Sequence, residues 1–351
     1  MRILLVQLGS TGDCLLVTPL LRQIKLFDYP NSHITWMICS PYKYIVENNP
    51  YLDDIIEIPL LDYKDLQTHR NKIDEYVKGL IYHNKFEKIF ITDYYSKNHH
   101  NWYCTTRSSL FRSYPHRIKV DIKPDLFLTE IEKTRALNFC NINKIDSSLF
   151  NILIESSPRS GQSSMNHDKA IYIAELLTSK YQNINCIISS SNKLSYKTDK
   201  IIDGSELTFR ETKELLSKCN LVIGASSAIS WMTLSSDSLF KVKMVQIISR
   251  NYEMNIVSAS LIKDFKYFGL STNNIIELID PSDRHLIHCL DLILTKGFKK
   301  AKKKFGVNQN FYLFGKQVLL ESYMNYYDKI FNAFYMLLFK IHKEIVQKQY
   351  K

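Results

Sequence analysis

Short apolar runs recur along the chain, each followed by an amphipathic stretch, and that alternation leaves few folds open. Ile3-Leu4-Leu5-Val6 is apolar without a break, as a strand covered on both faces must be. Residues 13–27 follow as a helix with Leu15, Leu16, Leu20 and Ile24 on one side, and with Pro19 placed to kink it. The runs at 33–38, 55–58 and 88–92 predict three more strands, with helices at 42–48 and 71–84 between them. Strands joined by helices pair in parallel, so this part of the chain predicts a doubly wound sheet.

The pattern pauses over residues 124–151, which read as a crossing, and resumes at Asn151-Ile152-Leu153-Ile154. Helices are expected at 167–180 and 208–218, and strands at 185–189, 220–223 and 243–248. A chain of 351 residues also exceeds one ordinary core. The expected architecture is therefore α/β, with two Rossmann-like halves facing each other across a linker. They occupy residues 1–150 and 151–305, and 306–351 form a C-terminal helical segment. In that segment Ile330, Phe331, Phe334, Leu337, Leu338, Ile341 and Ile345 recur at helical spacing, with Lys329, Lys340 and Lys343 among them. Such a stripe packs on its own fold or rests on an anionic membrane.

Composition narrows the function. Apolar residues at 45% and charged residues at 23% exclude a mostly disordered chain. No apolar run approaches the roughly 18 residues of a membrane-spanning helix. The run at 3–6 turns polar at Gln7, too short for a signal-peptide core, so a cytoplasmic location is expected. The net charge of +11 suits an anionic partner: nucleic acid, membrane headgroups or a phosphorylated substrate. With no RNA-binding motif or zinc finger, nucleic acid is set aside. Part of the excess is the cluster Lys299, Lys300, Lys302, Lys303 and Lys304. Seven scattered cysteines without a C-x-x-C pair read as buried thiols, and no metal site is expected.

The sharpest local signal is Gly9-Ser10-Thr11-Gly12-Asp13, between the first strand and its helix. Two glycines let backbone approach a ligand closely, and a helix start presents free N–H groups. Asp13 then stands above the carboxyl end of a parallel strand, where open α/β sheets bind ligands. It is also an ordinary residue for a helix cap. The spacing G-x-x-G matches neither the dinucleotide fingerprint nor a Walker A loop. After the strand at 88–92, residues 94–103 are rich in aromatic and polar side chains, including His99 and His100, of the kind that stack on sugars. Arg159 carries a planar fork suited to phosphate, while Thr208 and the pair Ser226-Ser227 stand at expected helix starts.

Leu5-Val6-Gln7-Leu8-Gly9-Ser10-Thr11-Gly12-Asp13, followed by Val17-Thr18-Pro19-Leu20-Leu21, resembles the opening of the glycosyltransferase family 9 proteins, the ADP-heptose:lipopolysaccharide heptosyltransferases. Tyr29-Pro30-Asn31-Ser32, the stretch 48–55, and Leu207-Thr208-Phe209-Arg210-Glu211 ahead of Val222-Ile223-Gly224 are similar to later family segments. The resemblance implies a GT-B fold and an inverting, metal-independent transfer of heptose or another sugar from a nucleotide-sugar co-substrate to a lipopolysaccharide or other surface glycan acceptor, with no further cofactor. It implies Asp13 as general base, while Ser10, Thr11 and Gly12 of its loop and His99 and His100 of the aromatic segment are expected toward the acceptor. Ser157, Arg159, Thr208, Glu211, Ser226 and Ser227 are then expected toward the donor. Two positions depart from the family pattern: its acid after the strand is Ala225 here, and its histidine is Ser230. A sugar-nucleotide epimerase of the same fold and a non-catalytic glycan- or partner-binding descendant stay open.

Overall fold

The computed structural model describes residues 1–60, 71, 74–80, 85–93, 110–111, 113–156, 161–234, 242–249 and 260–306. Its strands form two all-parallel sheets. The first has the order β3-β2-β1-β4, from β1 (Arg2–Val6), β2 (His33–Cys39), β3 (Asp54–Ile58) and β4 (Lys88–Ile91). The second has the order β10-β9-β8-β5-β6-β7, from β5 (Phe150–Glu155), β6 (Ile184–Ser189), β7 (Ile201–Asp203), β8 (Leu221–Gly224), β9 (Lys243–Ile248) and β10 (Ile275–Ile279). In both sheets the order reverses beside the first strand, between β1 and β4 and between β5 and β8. A crevice opens at such a point on the carboxyl side of the strands.

The helix expected at 13–27 is broken into three pieces. Helix α1 (Thr11–Val17) stops at Thr18, α2 (Pro19–Gln23) restarts on a proline at its first turn, and a π-helical turn covers Ile24–Asp28. Proline has no N–H to continue the ladder, and the Thr18 hydroxyl donates to Leu15 O at 2.7 Å instead. The stretch read as a crossing holds α3 (Glu130–Ile142), begun by a capping box between Thr129 and Glu132. In the second sheet α4 (His167–Lys180), α5 (Phe209–Leu216) and α6 (Ala228–Met232) follow the expected strands. Sequence periodicity missed β7, β10 and the helices α7 (Leu261–Tyr267), α8 (Asp283–Lys296) and α9 (Phe298–Phe305). Strand β7 has only three residues, and Glu277 interrupts the apolar run of β10.

One buried apolar cluster runs from the first sheet through α1 to the inner face of the second, joining Leu5, Leu15 and Trp36 to Leu153, Val222, Trp231 and Phe265. The outer face of the second sheet packs separately on α4, α8 and α9, around Ile154, Ile223, Ala174, Leu290 and Phe298. Helix α9 buries Phe298, Ala301 and Phe305 and leaves Lys299, Lys300, Lys303 and Lys304 exposed. The six described cysteines are free and buried. No helix among the described residues is long and apolar enough to cross a membrane. The terminal stripe at 326–346 lies outside the described residues.

Candidate functional site

The loop after β1 is braced from three sides before it reaches α1. The Trp36 indole donates to Gln7 O at 2.9 Å, the Thr92 hydroxyl to the Gln7 side-chain oxygen at 2.9 Å, and the Gln7 amide to Gly9 O at 2.6 Å. Beneath it, Asp93 Oδ2 accepts the Leu8 N–H at 3.0 Å, and both residues are buried. Ser10, and not Asp13, takes the cap position of α1. Asp13 is the third residue of the helix, half-buried, with the Ser10 hydroxyl 3.4 Å from its Oδ2. An acid in the first turn is favoured by the exposed N–H groups around it. Thr11 Oγ1 and Tyr44 Oη are 3.0 Å apart, and the Tyr44 ring meets Phe209 of α5 edge-on at 5.8 Å. Below Asp13, burial pushes the Cys14 thiol well up, and Asp13, Asp93 and Cys39 add to the shift, so this cysteine stays protonated.

Across from this loop stands the turn between β8 and α6. A methyl group placed on Gly12 would lie 3.7 Å from Ala228 N and 3.8 Å from its Cα and Cβ, so the two strand-end motifs touch. That is ordinary van der Waals spacing, and Gly12 has no positive φ, so neither space nor conformation within the chain requires glycine there. The turn is tied from below. Ala225 is fully buried and its N–H donates to Glu155 Oε2 at 3.2 Å. Ser226 is 1% exposed. Ser227 is half-buried, caps α6 by accepting the Ile229 N–H at 3.2 Å, and hydrogen-bonds the Glu155 carboxyl. Ser230 is buried, donates to Ala225 O at 2.7 Å and accepts from Gln246 at 3.0 Å.

Gly12, with Ser10, Thr11 and Asp13 beside it in the chain, thus meets Ala228, next to Ser226 and Ser227, where the carboxyl ends of the two sheets approach. Thr208 and Glu211 are used differently. They form the capping box of α5, and Glu211 also pairs with Arg135 of α3 at 3.2 Å. Between them Arg210, 5% exposed, reaches back to the carbonyls of Tyr44, Glu47 and Phe127 and to both oxygens of Glu132. Its guanidinium beside Glu132 is the main reason that carboxyl is held down to about 2. Lys213 of the same helix donates to Leu126 O at 2.6 Å. Helix α5 therefore fastens the second sheet to the crossing and to the first. His99, His100, Ser157 and Arg159 lie outside the described residues. No group of three or more His, Cys, Asp or Glu suited to a metal ion occurs among the described residues.

Sequence reasoning passed over Glu155, Arg210 and Asp93. A signal existed for Glu155: it is an acid in the last place of an apolar strand, where an unpaired carboxylate is costly. Arg210 gave none, because a basic residue in a helix reads as solvated until its burial is seen.

No family model and no curated protein matches this sequence. Solved structures do match. A glycosyl transferase family 9 protein from Veillonella parvula aligns over 88% of this chain and 91% of its own at 13% identity, with a TM-score of 0.53. The ADP-heptose lipopolysaccharide heptosyltransferase II of E. coli aligns over 84% and 99% at 10% identity, with a TM-score of 0.51. A UDP-GlcNAc 2-epimerase from Neisseria meningitidis aligns over 91% and 100% at 10% identity, with a TM-score of 0.45. At such identities the likeness carries the architecture alone, and that architecture is the GT-B fold: two parallel α/β sheets facing across a cleft.

Proposed function

We propose that this chain is an inverting, metal-independent glycosyltransferase, moving heptose or another sugar from a nucleotide-sugar donor to a lipopolysaccharide or other surface-glycan acceptor. One observation carries the reading: the Gly12-Asp13 loop and the Ser227-Ala228 turn touch, each at the switch point of its own sheet. Inverting transfer needs a base on one side of the sugar and stabilisation of the departing diphosphate on the other. Asp13 is an accessible carboxylate on the first side. It would take the proton of the acceptor hydroxyl as that oxygen attacks the anomeric carbon, with Ser10 steadying its orientation. Ser227 is the accessible hydroxyl on the second side.

Thr208 and Glu211 enter this proposal as residues that hold α5, and through it the donor half, in place. The exposed lysines of α9, with the terminal stripe at 326–346, fit a peripheral position on the inner face of the cytoplasmic membrane. A thermal-shift screen against ADP-, GDP-, UDP- and CMP-sugars tests the core of the reading, because a bound donor stabilises by mass action. One class of nucleotide sugar should raise the melting temperature, and transfer to an acceptor glycan should persist in EDTA. No shift with any donor would remove the transferase reading. Interconversion of the bound sugar without an acceptor would replace it with the epimerase.

A further inference from the structure

Strand β5 ends in a buried carboxyl group with no cation among the described residues to answer it. Glu155 pairs in register with Ser189 of β6 and stands one place beyond the Ile154–Ile223 pair, beside Gly224 of β8. A methyl group on Gly224 would fall 2.7 Å from Glu155 Oε2, so the glycine makes room for the acid. From α6 it meets Ser227, and from the turn the Ala225 N–H. Along the same row, Gly224 pairs with Gln246 and Gln246 with Glu277, so the next acid lies on β10, near Asp264 of α7. Among the described residues Asp13, on the α1 side of the contact, is not one of the groups that move Glu155, and neither is any other charged side chain. Burial pushes its carboxyl up to about 7, against the lowering effect of the Ser227 and Ala225 hydrogen bonds.

A hydroxyl has one hydrogen and two lone pairs. The Ser227 oxygen already accepts the Ile229 N–H. When Glu155 is ionised it can only accept, so the Ser227 hydrogen points down to it. When Glu155 carries a proton, its own O–H donates to Ser227, and the serine hydrogen is released toward the cleft that Ser227 half faces.

We propose that Glu155 is a positioning residue that sets the direction of the Ser227 hydroxyl, coupling the binding of an anionic phosphodiester at this turn to uptake of one proton by Glu155. The proton comes from solvent and no other bond changes. This rests on the reading of the β8–α6 turn as the donor side of the cleft.

The test uses the full chain with UDP-glucose, ADP-glucose and GDP-mannose as probes, whose phosphodiesters stay ionised from pH 5.5 to 8.5, so any slope belongs to the protein. The affinity of whichever probe binds should be flat at low pH and fall, approaching about tenfold per pH unit, above pH 7. Glu155→Gln keeps an acceptor for Ala225 N–H and a permanent donor to Ser227, so it should bind tightly with no slope. Ser227→Ala should bind more weakly, also with no slope. Calorimetry of the wild-type chain at pH 7.5, in two buffers of different ionisation enthalpy, should count a fractional proton taken up. Absence of that uptake, or an equal slope in Glu155→Gln and wild type, overturns the coupling while leaving the donor side standing. Failure of every probe to bind folded wild-type protein at any pH overturns the donor side and the coupling with it.

Discussion

Strands β1 and β5 hold equivalent places, each the first strand of its sheet and each beside the switch in strand order. In both, a buried carboxyl group ties the two central strands together through a backbone N–H, but the partners are exchanged. In the first sheet the acid comes from beyond the neighbouring strand: Asp93, after β4, accepts from Leu8, after β1. In the second it comes from the first strand itself: Glu155, ending β5, accepts from Ala225, after β8. The exchange decides what each crevice shows to solvent. With Asp93 below, the loop after β1 carries a further acid, Asp13, half-buried at its rim. With Glu155 below, the turn after β8 shows a hydroxyl, Ser227, and no acid. In the proposed reaction Asp13 would be the base on one wall and Ser227 a neutral hydrogen-bond donor on the other, the division that a diphosphate leaving group would need.

The largest expected effect breaks the first wall. Asp13→Asn should lower transfer by roughly 10²–10⁴-fold, the usual cost of losing a general base. Because Ser10 holds the cap position, the same change should cost at most about 1 kcal/mol of stability, the size of a first-turn charge effect. Turnover and melting temperature measured together separate a base from a helix-stabilising residue, and an Asp13→Asn enzyme with full activity removes Asp13 from the chemistry.

The comparison also supposes that the two walls are held at a fixed spacing by α5. Arg210→Ala leaves Glu132 without its guanidinium and removes one donor from each of three carbonyls, a loss of about 3–5 kcal/mol by the behaviour of broken buried pairs. Urea denaturation should show it, and a loss under 1 kcal/mol would mean that the clamp is incidental.

A pH series tests the burial of the second acid. Glu155 and Glu277 are both pushed by burial from 4.5 to about 7, so between those values the folded chain binds protons that the unfolded chain releases. Stability should therefore fall as pH rises from 4.5 to 7 and level off above, by up to about 3 kcal/mol per acid. Glu132, held low by Arg210, contributes the opposite slope only below pH 4.5. Melts of a Glu155→Gln, Glu277→Gln double variant should lack the decline from 4.5 to 7.

The smallest effects compare two glycines. Gly224→Ala drives a methyl group into Glu155 and should cost about 1–3 kcal/mol, whereas Gly12→Ala meets Ala228 at ordinary van der Waals distance and should be neutral or stabilising by up to about 1 kcal/mol. If Gly12→Ala nonetheless slows transfer, the room beside Asp13 belongs to a ligand.

The parallel sheets were legible because continuous apolar runs such as Ile3–Val6 and Ile152–Ile154 have no other economical use in a chain of this kind. Pro19 announced its break in the first helix for an equally local reason. Three features were not legible. The position of Asp13 within α1 turned on where one helix begins, two residues earlier than its apolar pattern implies. Glu277 hid β10, because a buried acid inside a strand breaks the very pattern by which strands are recognised. The roles of Thr208 and Glu211 depended on Arg210, whose partners lie 78 to 166 residues away in the chain. No spacing within one segment encodes a partner so distant.

That separation bears on how the chain is made. At a synthesis rate of roughly 5–20 residues per second, the 166 residues between Tyr44 and Arg210 take on the order of 10–30 seconds to emerge. Once Glu132 has emerged, 78 residues ahead of Arg210, the first sheet can form, yet the carbonyls of Tyr44, Glu47 and Phe127 and the Glu132 carboxylate still wait for their guanidinium. A chain stopped before residue 210 leaves that surface without its guanidinium, and arrival of the arginine fastens the second half of the molecule to the first.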